Sequence, residues 1–287
     1  MMPRKRLGST DIEVSTLGLG TVKFGRNQNL KYPASFELPS DAQIARLLDS
    51  AQAMGVNLID TAPAYGYSEE RLGYALRKSR KDWVISTKVG EEFTPDKFTG
   101  QGLSHFDFSA KHTRFSVERS LRRLRTDYLD LVLIHSDGND LNILLQTEVV
   151  HSLQQLKQEG WIRAFGISSK TLEGGLLAAE ICDAVMVTYN PGQQEEAPVI
   201  AKSAQYRRGV LLKKVLASGH ICHDAAAPEV SAIDADSSAD PIQRALAFAY
   251  APEGVSSAII GTLNEQHLRD NLLKAIKAQS PAVKIKE

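Results

Sequence analysis

Residues 56–73 read VNLIDTAPAYGYSEERLG. The stretch opens on a short apolar and β-branched run, VNLIDTA, crosses a turn bearing Pro and Gly, and enters a helical pattern. Ser68 is the expected cap of that helix, with Glu69 and Glu70 at its positive end. Working outward, the same passage from run to helix recurs along the chain. The other runs are STLGLGT (15–21), WVISTKV (83–89), YLDLVLIH (128–135), IRAFGIS (162–168), DAVMVTY (183–189), GVLLKKV (209–215) and SSAIIGT (256–262). Each is brief and apolar or β-branched, which suits strands buried on both faces of a parallel sheet.

The helices between them are readable by their caps and stripes. Ser40 with Gln43 forms a capping box, Ile44, Leu47, Leu48, Ala51 and Met54 form the buried stripe, and Gly55 stops the helix. Val117, Leu121 and Leu124 mark another. Leu145, Val149, Leu153 and Leu156 are read as one helix ended by Gly160, and further helical stretches fall near 171–180, 197–206, 240–250 and 264–278. Strict alternation implies a parallel sheet, and eight strands with eight helices predict an α/β fold, a (β/α)8 TIM barrel, as one domain over 1–287. An open doubly wound sheet would want G-x-G-x-x-G after its first strand, where this chain has GLGTVKFG. Residues 4–14 predict a β-hairpin covering one end of the barrel. Residues 91–112 and 217–239 are expected to be long loops, the first rich in aromatics and the second a lid that closes over a cofactor.

Composition narrows the function. Lys plus Arg and Asp plus Glu are both 34, so the chain lacks the basic excess of a nucleic-acid binder. No apolar run approaches the roughly 18 residues of a membrane span. Two cysteines, Cys182 and Cys222, build no disulfide framework, and a reduced cytoplasmic location is expected. His220, Cys222, His223 and Asp224 sit close together in HICHD, but no partner cluster stands elsewhere, so no metal is expected. The oligomeric state is not readable.

In such a barrel the active site lies where the strands end. Asp60, Lys88 and His135 end three consecutive strands, and Tyr65 follows Asp60 in the loop. Lys88 and Asp60 compensate each other's desolvation. A nearby ammonium is expected to lower the Tyr65 pKa, giving a phenol able to donate a proton while the imidazole orients a carbonyl oxygen. That is equipment for reducing an aldehyde or ketone once a hydride arrives.

With LGLGTVKFG, NLIDTAPAYGYSEERLG, WVISTKVG, DYLDLVLIHSDG, LKQEGWIRAFGIS and IIGTLNEQHLRDN in order at successive strand ends, the chain resembles the aldo-keto reductase family. The resemblance implies Tyr65 as general acid/base, supported by Asp60 and Lys88, with His135 positioning a small-molecule carbonyl substrate. It also implies NADPH as cofactor, with NADH possible, held without a Rossmann fold. Cofactor contacts are expected at Thr21, Lys23 and Asp60, and at Ser168 beside the nicotinamide amide. Ser169 stands where the family usually has Asn, Met186 where it has Gln, and Lys213 where an aromatic stacks on the nicotinamide. Lys214 falls near the pyrophosphate. Asn264 caps the last helix, whose first N–H groups, from Thr262 to Glu265, face a phosphate, and His267 and Asn271 face the adenine and its ribose. Gly261 and Leu263 occupy the two usual places of a basic residue, so only a modest preference for NADPH is expected. Another class of reading is a cofactor-binding regulatory or redox-sensing subunit with slow turnover, for which Met186 and Lys213 give room. A metal-dependent barrel hydrolase would need a ligand set at the strand ends that the sequence lacks.

Overall fold

The computed structural model describes residues 1–222 and 240–279, except 31, 34, 97 and 100. Two short antiparallel strands, β1 (Arg4–Arg6) and β2 (Glu13–Ser15), precede β3 (Leu17–Gly20), β4 (Leu58–Asp60) and β5 (Val84–Val89). A second antiparallel pair, β6 (Glu91–Thr94) and β7 (Leu103–Phe106), follows. The main series then resumes with β8 (Leu129–His135), β9 (Ile162–Ser168), β10 (Ala184–Thr188), β11 (Gly209–Lys213) and β12 (Val255–Ile260). Strands β3, β4, β5, β8, β9, β10, β11 and β12 pair in parallel in that order, and Leu17–Leu19 of β3 pair with Ala258–Ile260 of β12 to close the ring. The helices are α1 (Val22–Gly25), α2 (Asp41–Ala53), α3 (Ser68–Ala75), α4 (Ala110–Leu124), α5 (Asp140–Gln146), α6 (Val149–Gln158), α7 (Leu172–Ile181), α8 (Ala197–Gln205), α9 (Pro241–Tyr250) and α10 (Glu265–Ala278). The expected (β/α)8 barrel is the fold.

Alternation along the strands sorts the chain into two cores. Leu58, Val84, Leu131, Leu133, Ala164, Ala184, Met186 and Leu211 point inward and share one apolar cluster. Their neighbours Ile59, Ile85, Val132, Ile134, Ile167, Val185 and Leu212 point outward, against Leu47, Leu72, Val117, Leu153 and Leu272 of the helices. Because side chains of one strand alternate faces, each inward series continues upward to a polar residue at the C-terminal end. Leu58 leads to Asp60, Val84 to Lys88, Leu133 to His135, Ala164 to Ser168 and Leu211 to Lys213.

The other end is closed. Leu7, Ile12 and Val14 of the N-terminal hairpin are fully buried in the inner cluster. Gly8 permits the approach: its φ is +58°, and a Cβ there would lie 2.4 Å from the Gly209 nitrogen. The Ser9 N–H donates to the Arg207 carbonyl at 2.8 Å, and Lys5 Nζ to the Val255 carbonyl at 3.0 Å. Buried Asp130 of β8 accepts from Arg80 of a 3-10 turn at 2.8 Å, Arg163 of β9 at 2.6 Å and the Ile85 N–H of β5 at 3.0 Å, so both oxygens of one carboxylate are used.

Several local expectations need correction. Ser40 and Gln43 do form the capping box, but Ser68 does not cap α3. Its hydroxyl is buried instead between Thr21 Oγ1 at 2.9 Å and Thr61 Oγ1 at 3.0 Å. Glu69 is also buried, accepting from Thr87 Oγ1 at 2.7 Å, so it cannot decorate a solvated helix end. The helix read through Leu145 to Leu156 is two helices. The Thr147 hydroxyl turns back to the Ile143 carbonyl at 2.7 Å, Leu145 is 59% exposed, and the buried stripe begins only at Val149. Residues 91–112 are not a long loop: they hold the β6–β7 hairpin, and Ser109 caps α4 by accepting from the His112 N–H at 3.2 Å. Of the loop expected over 217–239, residues Ala217–Cys222 form a 3-10 turn and 223–239 lie outside the described residues.

Candidate active site

The upper ends of the barrel strands ring a single open pocket of about 1370 Å³. On one arc, Lys88 Nζ donates to Asp60 Oδ1 at 2.7 Å and to the Thr61 carbonyl at 2.8 Å. Ser86 Oγ donates to the same Asp60 oxygen at 3.2 Å. Both charged side chains are almost wholly buried, and their pairing offsets the desolvation that either would suffer alone. Tyr65 is brought over this pair by the 3-10 turn Pro63–Tyr65, and Lys88 Nζ lies 4.8 Å from the centre of its ring. The turn is possible because Gly66 has φ +61°, with space for a Cβ denied by the Gly25 carbonyl at 2.2 Å. The Tyr65 and His135 rings meet edge to face at 6.2 Å. Asp60, Tyr65, Lys88 and His135, named from their strand ends, therefore do converge.

The electrostatics of Tyr65 reverse the expectation. Burial pushes its phenol well above the usual range, and the Asp60 carboxylate, with Tyr32 and Glu91, adds to the rise. The Lys88 ammonium, expected to lower it, is already matched by Asp60. His135 is held neutral, since burial lowers its pKa more than Glu91 raises it.

Glu91, which sequence reasoning did not single out, lies with Oε2 2.8 Å from His135 Nδ1. An unprotonated Nδ1 there would set lone pair against lone pair, so the imidazole proton belongs on Nδ1. Ser104 Oγ donates to Glu91 Oε1 at 2.6 Å, and Arg26 Nη1 lies 3.6 Å from that oxygen. The Arg26 guanidinium covers the Phe93 ring at 3.5 Å and donates to the Ala64 carbonyl at 3.1 Å, tying the hairpin to the Tyr65 turn. A charged residue immediately after the glycine that ends β5 was the available signal for Glu91.

The remaining candidate residues line the same pocket, in differing states of engagement. Thr21 is fully buried with its hydroxyl spent on the Asp60 carbonyl at 2.9 Å, so it offers a ligand little beyond shape. Lys23 lies 4.1 Å from the centre of the Tyr32 ring. Across the mouth, Lys213 Nζ donates to Ser168 Oγ at 2.9 Å and to the Ser169 carbonyl at 2.5 Å. Ser169 Oγ is turned away to Glu196 at 2.6 Å, and Met186 is buried beneath. Lys214 is exposed, with φ +55°, and its carbonyl accepts from Asn190 Nδ2 at 3.0 Å. At the far wall stand Thr262, exposed His267 and buried Asn271. The α10 N-terminus is less open than expected: Asn264 Oδ1 accepts from the N–H groups of Gln266 and His267, and Thr262 Oγ1 from that of Asn264 at 3.1 Å. Asp270 and Lys274, which the sequence reading passed over, share that wall, with Lys274 paired to Asp240 at 3.0 Å.

Among the described residues, no group of three or more His, Cys, Asp or Glu is arranged to hold a metal ion. The side chains of HICHD fall outside them. No described helix is long and apolar enough to cross a membrane.

Comparison with known proteins supplies an independent reading. A model described as the aldo/keto reductase family matches residues 16–285. A solved protein from Pseudomonas aeruginosa, described as an aldo-keto reductase, is 47% identical, with a TM-score of 0.82 over 96% of this chain and 95% of that one. The uncharacterized oxidoreductase YqkF of Bacillus subtilis is 34% identical over 170 residues, 58% of this chain and 49% of that protein. The NADH-specific methylglyoxal reductase of Escherichia coli is 35% identical over 176 residues, 58% of this chain and 52% of that protein. These matches thus span about half the length of the curated relatives.

Proposed function

Because the chain belongs to the aldo/keto reductase family, we propose that it reduces small aldehydes or ketones with a nicotinamide cofactor, Tyr65 donating the proton. The observation that carries this reading is the neutralised Lys88–Asp60 pair beneath the Tyr65 ring, at the mouth of a pocket reaching α10. A volume of about 1370 Å³ exceeds the ~300–1,000 Å³ of a pocket for one drug-sized ligand, which suits a dinucleotide together with a substrate. Ser168 and Lys213 would hold the ring end, Lys214 the middle, and Thr262, His267 and Asn271 the adenosine end.

When bound, the reduced nicotinamide would supply a hydride to the carbonyl carbon. The protein's own part is the proton and the field around it. Tyr65, its pKa raised by burial, keeps its proton through neutral pH and can hand it to the carbonyl oxygen. The phenolate left behind faces Lys88, whose position is fixed by Asp60 and the Thr61 carbonyl. His135, neutral with its proton on Nδ1 toward Glu91, keeps a lone pair on Nε2, so it can accept a hydrogen bond from the hydroxyl formed there but cannot donate one to the carbonyl oxygen. A phenol so reluctant to ionise favours reduction over alcohol oxidation.

Following the loss of reduced-nicotinamide absorbance with a panel of reactive aldehydes tests this. Tyr65→Phe should lower kcat by about 100-fold or more with cofactor affinity nearly unchanged. Near-wild-type turnover in that variant would remove Tyr65 from the role. The departures at Met186 and Lys213 favour a second reading, a cofactor-binding sensor, and slow wild-type turnover with tight cofactor binding in the same assay would select it.

A further inference from the structure

Two lysines face the pocket from opposite arcs of the barrel, and they differ in how their charge is met. Lys88 is paired with Asp60 at 2.7 Å. Lys213 has no carboxylate within 4.0 Å among the described residues; its ammonium is held by a serine hydroxyl and a carbonyl, at 2.9 and 2.5 Å. Glu196, the acid that acts most strongly on Lys213, lies beyond that distance, with Oε1 held by Ser169 Oγ at 2.6 Å and Oε2 by the Thr188 N–H at 2.7 Å, so it offsets the ammonium only in part. Neutral acceptors fix an ammonium without cancelling it. Its field reaches across the mouth, since Lys213 and Lys88 both depress the pKa of His135 after burial has done so.

We propose that Lys213 discriminates between the two redox forms of the cofactor, its unpaired and only partly offset charge weakening the binding of the oxidised form relative to the reduced. The inference rests on the nicotinamide reading above. The two forms share every phosphate and ribose and differ by one positive charge on the ring. Anything Lys213 does for the phosphates therefore divides out of their affinity ratio, and its interaction with the ring remains. Beside side chains as buried as these, a like charge several ångströms away costs more than it would in bulk water, where the penalty is slight. For a reductase the consequence is kinetic: the spent cofactor is the form the site expels.

Lys213 faces Glu196 ahead of α8, Asp140 of α5, Lys170 after β9, Lys214 beside it and His135 of β8. Burial, opposed by Glu196 and assisted by Lys214, brings its ammonium down to about 8. The discrimination should therefore relax as pH rises past that value.

The test is equilibrium binding of NADPH and NADP+ to the full chain by intrinsic fluorescence quenching, for wild type, Lys213→Arg and Lys213→Met, at about pH 7 and about pH 9.5. We expect wild type and Lys213→Arg at neutral pH to bind the reduced form with a preference about 10-fold larger than Lys213→Met does. Wild type should lose most of that excess at the higher pH, and Lys213→Met should show no such change. An affinity ratio equal in wild type and Lys213→Met, or a wild-type ratio flat with pH, overturns the inference. The wild-type pH series stands even if the Met variant fails to fold. If wild type binds neither form, it is the nicotinamide reading that fails, and the inference with it.

Discussion

A carboxylate enclosed at the rim of a barrel stays ionised only if its neighbours hold it so. At Glu91 burial opposes ionisation, but His135, the Ser104 hydroxyl and the Arg26 guanidinium outweigh it and hold the carboxyl at about 2. A folded pKa below the ordinary 4.5 means the ionised form stabilises the fold above that pH and the contribution fades as pH falls toward 2. Glu91→Gln should accordingly lower the urea midpoint at neutral pH, and the gap from wild type should narrow as pH drops through 4.5. Midpoints that stay equally far apart down to the acid limit would show that the ionised carboxylate is not what stabilises the rim. Tyr65 shows what a sequence withholds at this scale. Strand-end spacing was enough to bring Lys88 near it, but whether the ammonium or its partner Asp60 governs the phenol depends on a 2.7 Å contact that no spacing reveals.

At the scale of elements, the N-terminal hairpin is a stopper held by three side chains. Leu7 is fully buried against Ala184, Leu211 and the backbone of Gly209, so truncating it leaves a hole that the rigid strand ends cannot collapse into. Leu7→Ala should cost about 2–5 kcal/mol in chemical denaturation, with the far-UV signal of the native state unchanged. A loss within error would mean the plug is dispensable. The eight barrel strands were legible because burial on both faces stamps an apolar signature on each, whereas this hairpin, whose β1 is wholly exposed, was legible by the turn Gly8 to Asp11 between its arms. The β6–β7 hairpin carried no such mark. All four residues of β7 are exposed, and the aromatics Phe93 of β6 and Phe106 of β7 serve Arg26 and Phe108 rather than a common core. Likewise Leu145 fitted the spacing of α6 by coincidence. Periodicity cannot see that the Thr147 hydroxyl has ended the preceding helix.

For the molecule as a whole, the choice of dinucleotide is a matter of net charge at the α10 wall. A 2′-phosphate brings close to two negative charges and is best met by an unshared cation. Gly261 and Leu263 supply none, Lys274 shares its charge with Asp240 at 3.0 Å, and Asp270 lines the same wall. NADPH should be preferred over NADH by only about 10-fold in binding titrations at neutral pH, and a preference near 1,000-fold would show that another cation reaches the phosphate. Ring closure has an effect of a different kind. Leu17 of β3 pairs with Ala258 of β12, about 240 residues later. On a ribosome adding roughly 5–20 residues per second, β3 waits on the order of tens of seconds for the neighbour that covers its free edge. During that interval the nascent chain exposes the same strand edge that would template pairing with another copy. Its vulnerability to aggregation is therefore greatest before birth is complete, and a faster-translated message or a chaperone that shields the first strand would protect it more than any stabilising change to the finished barrel.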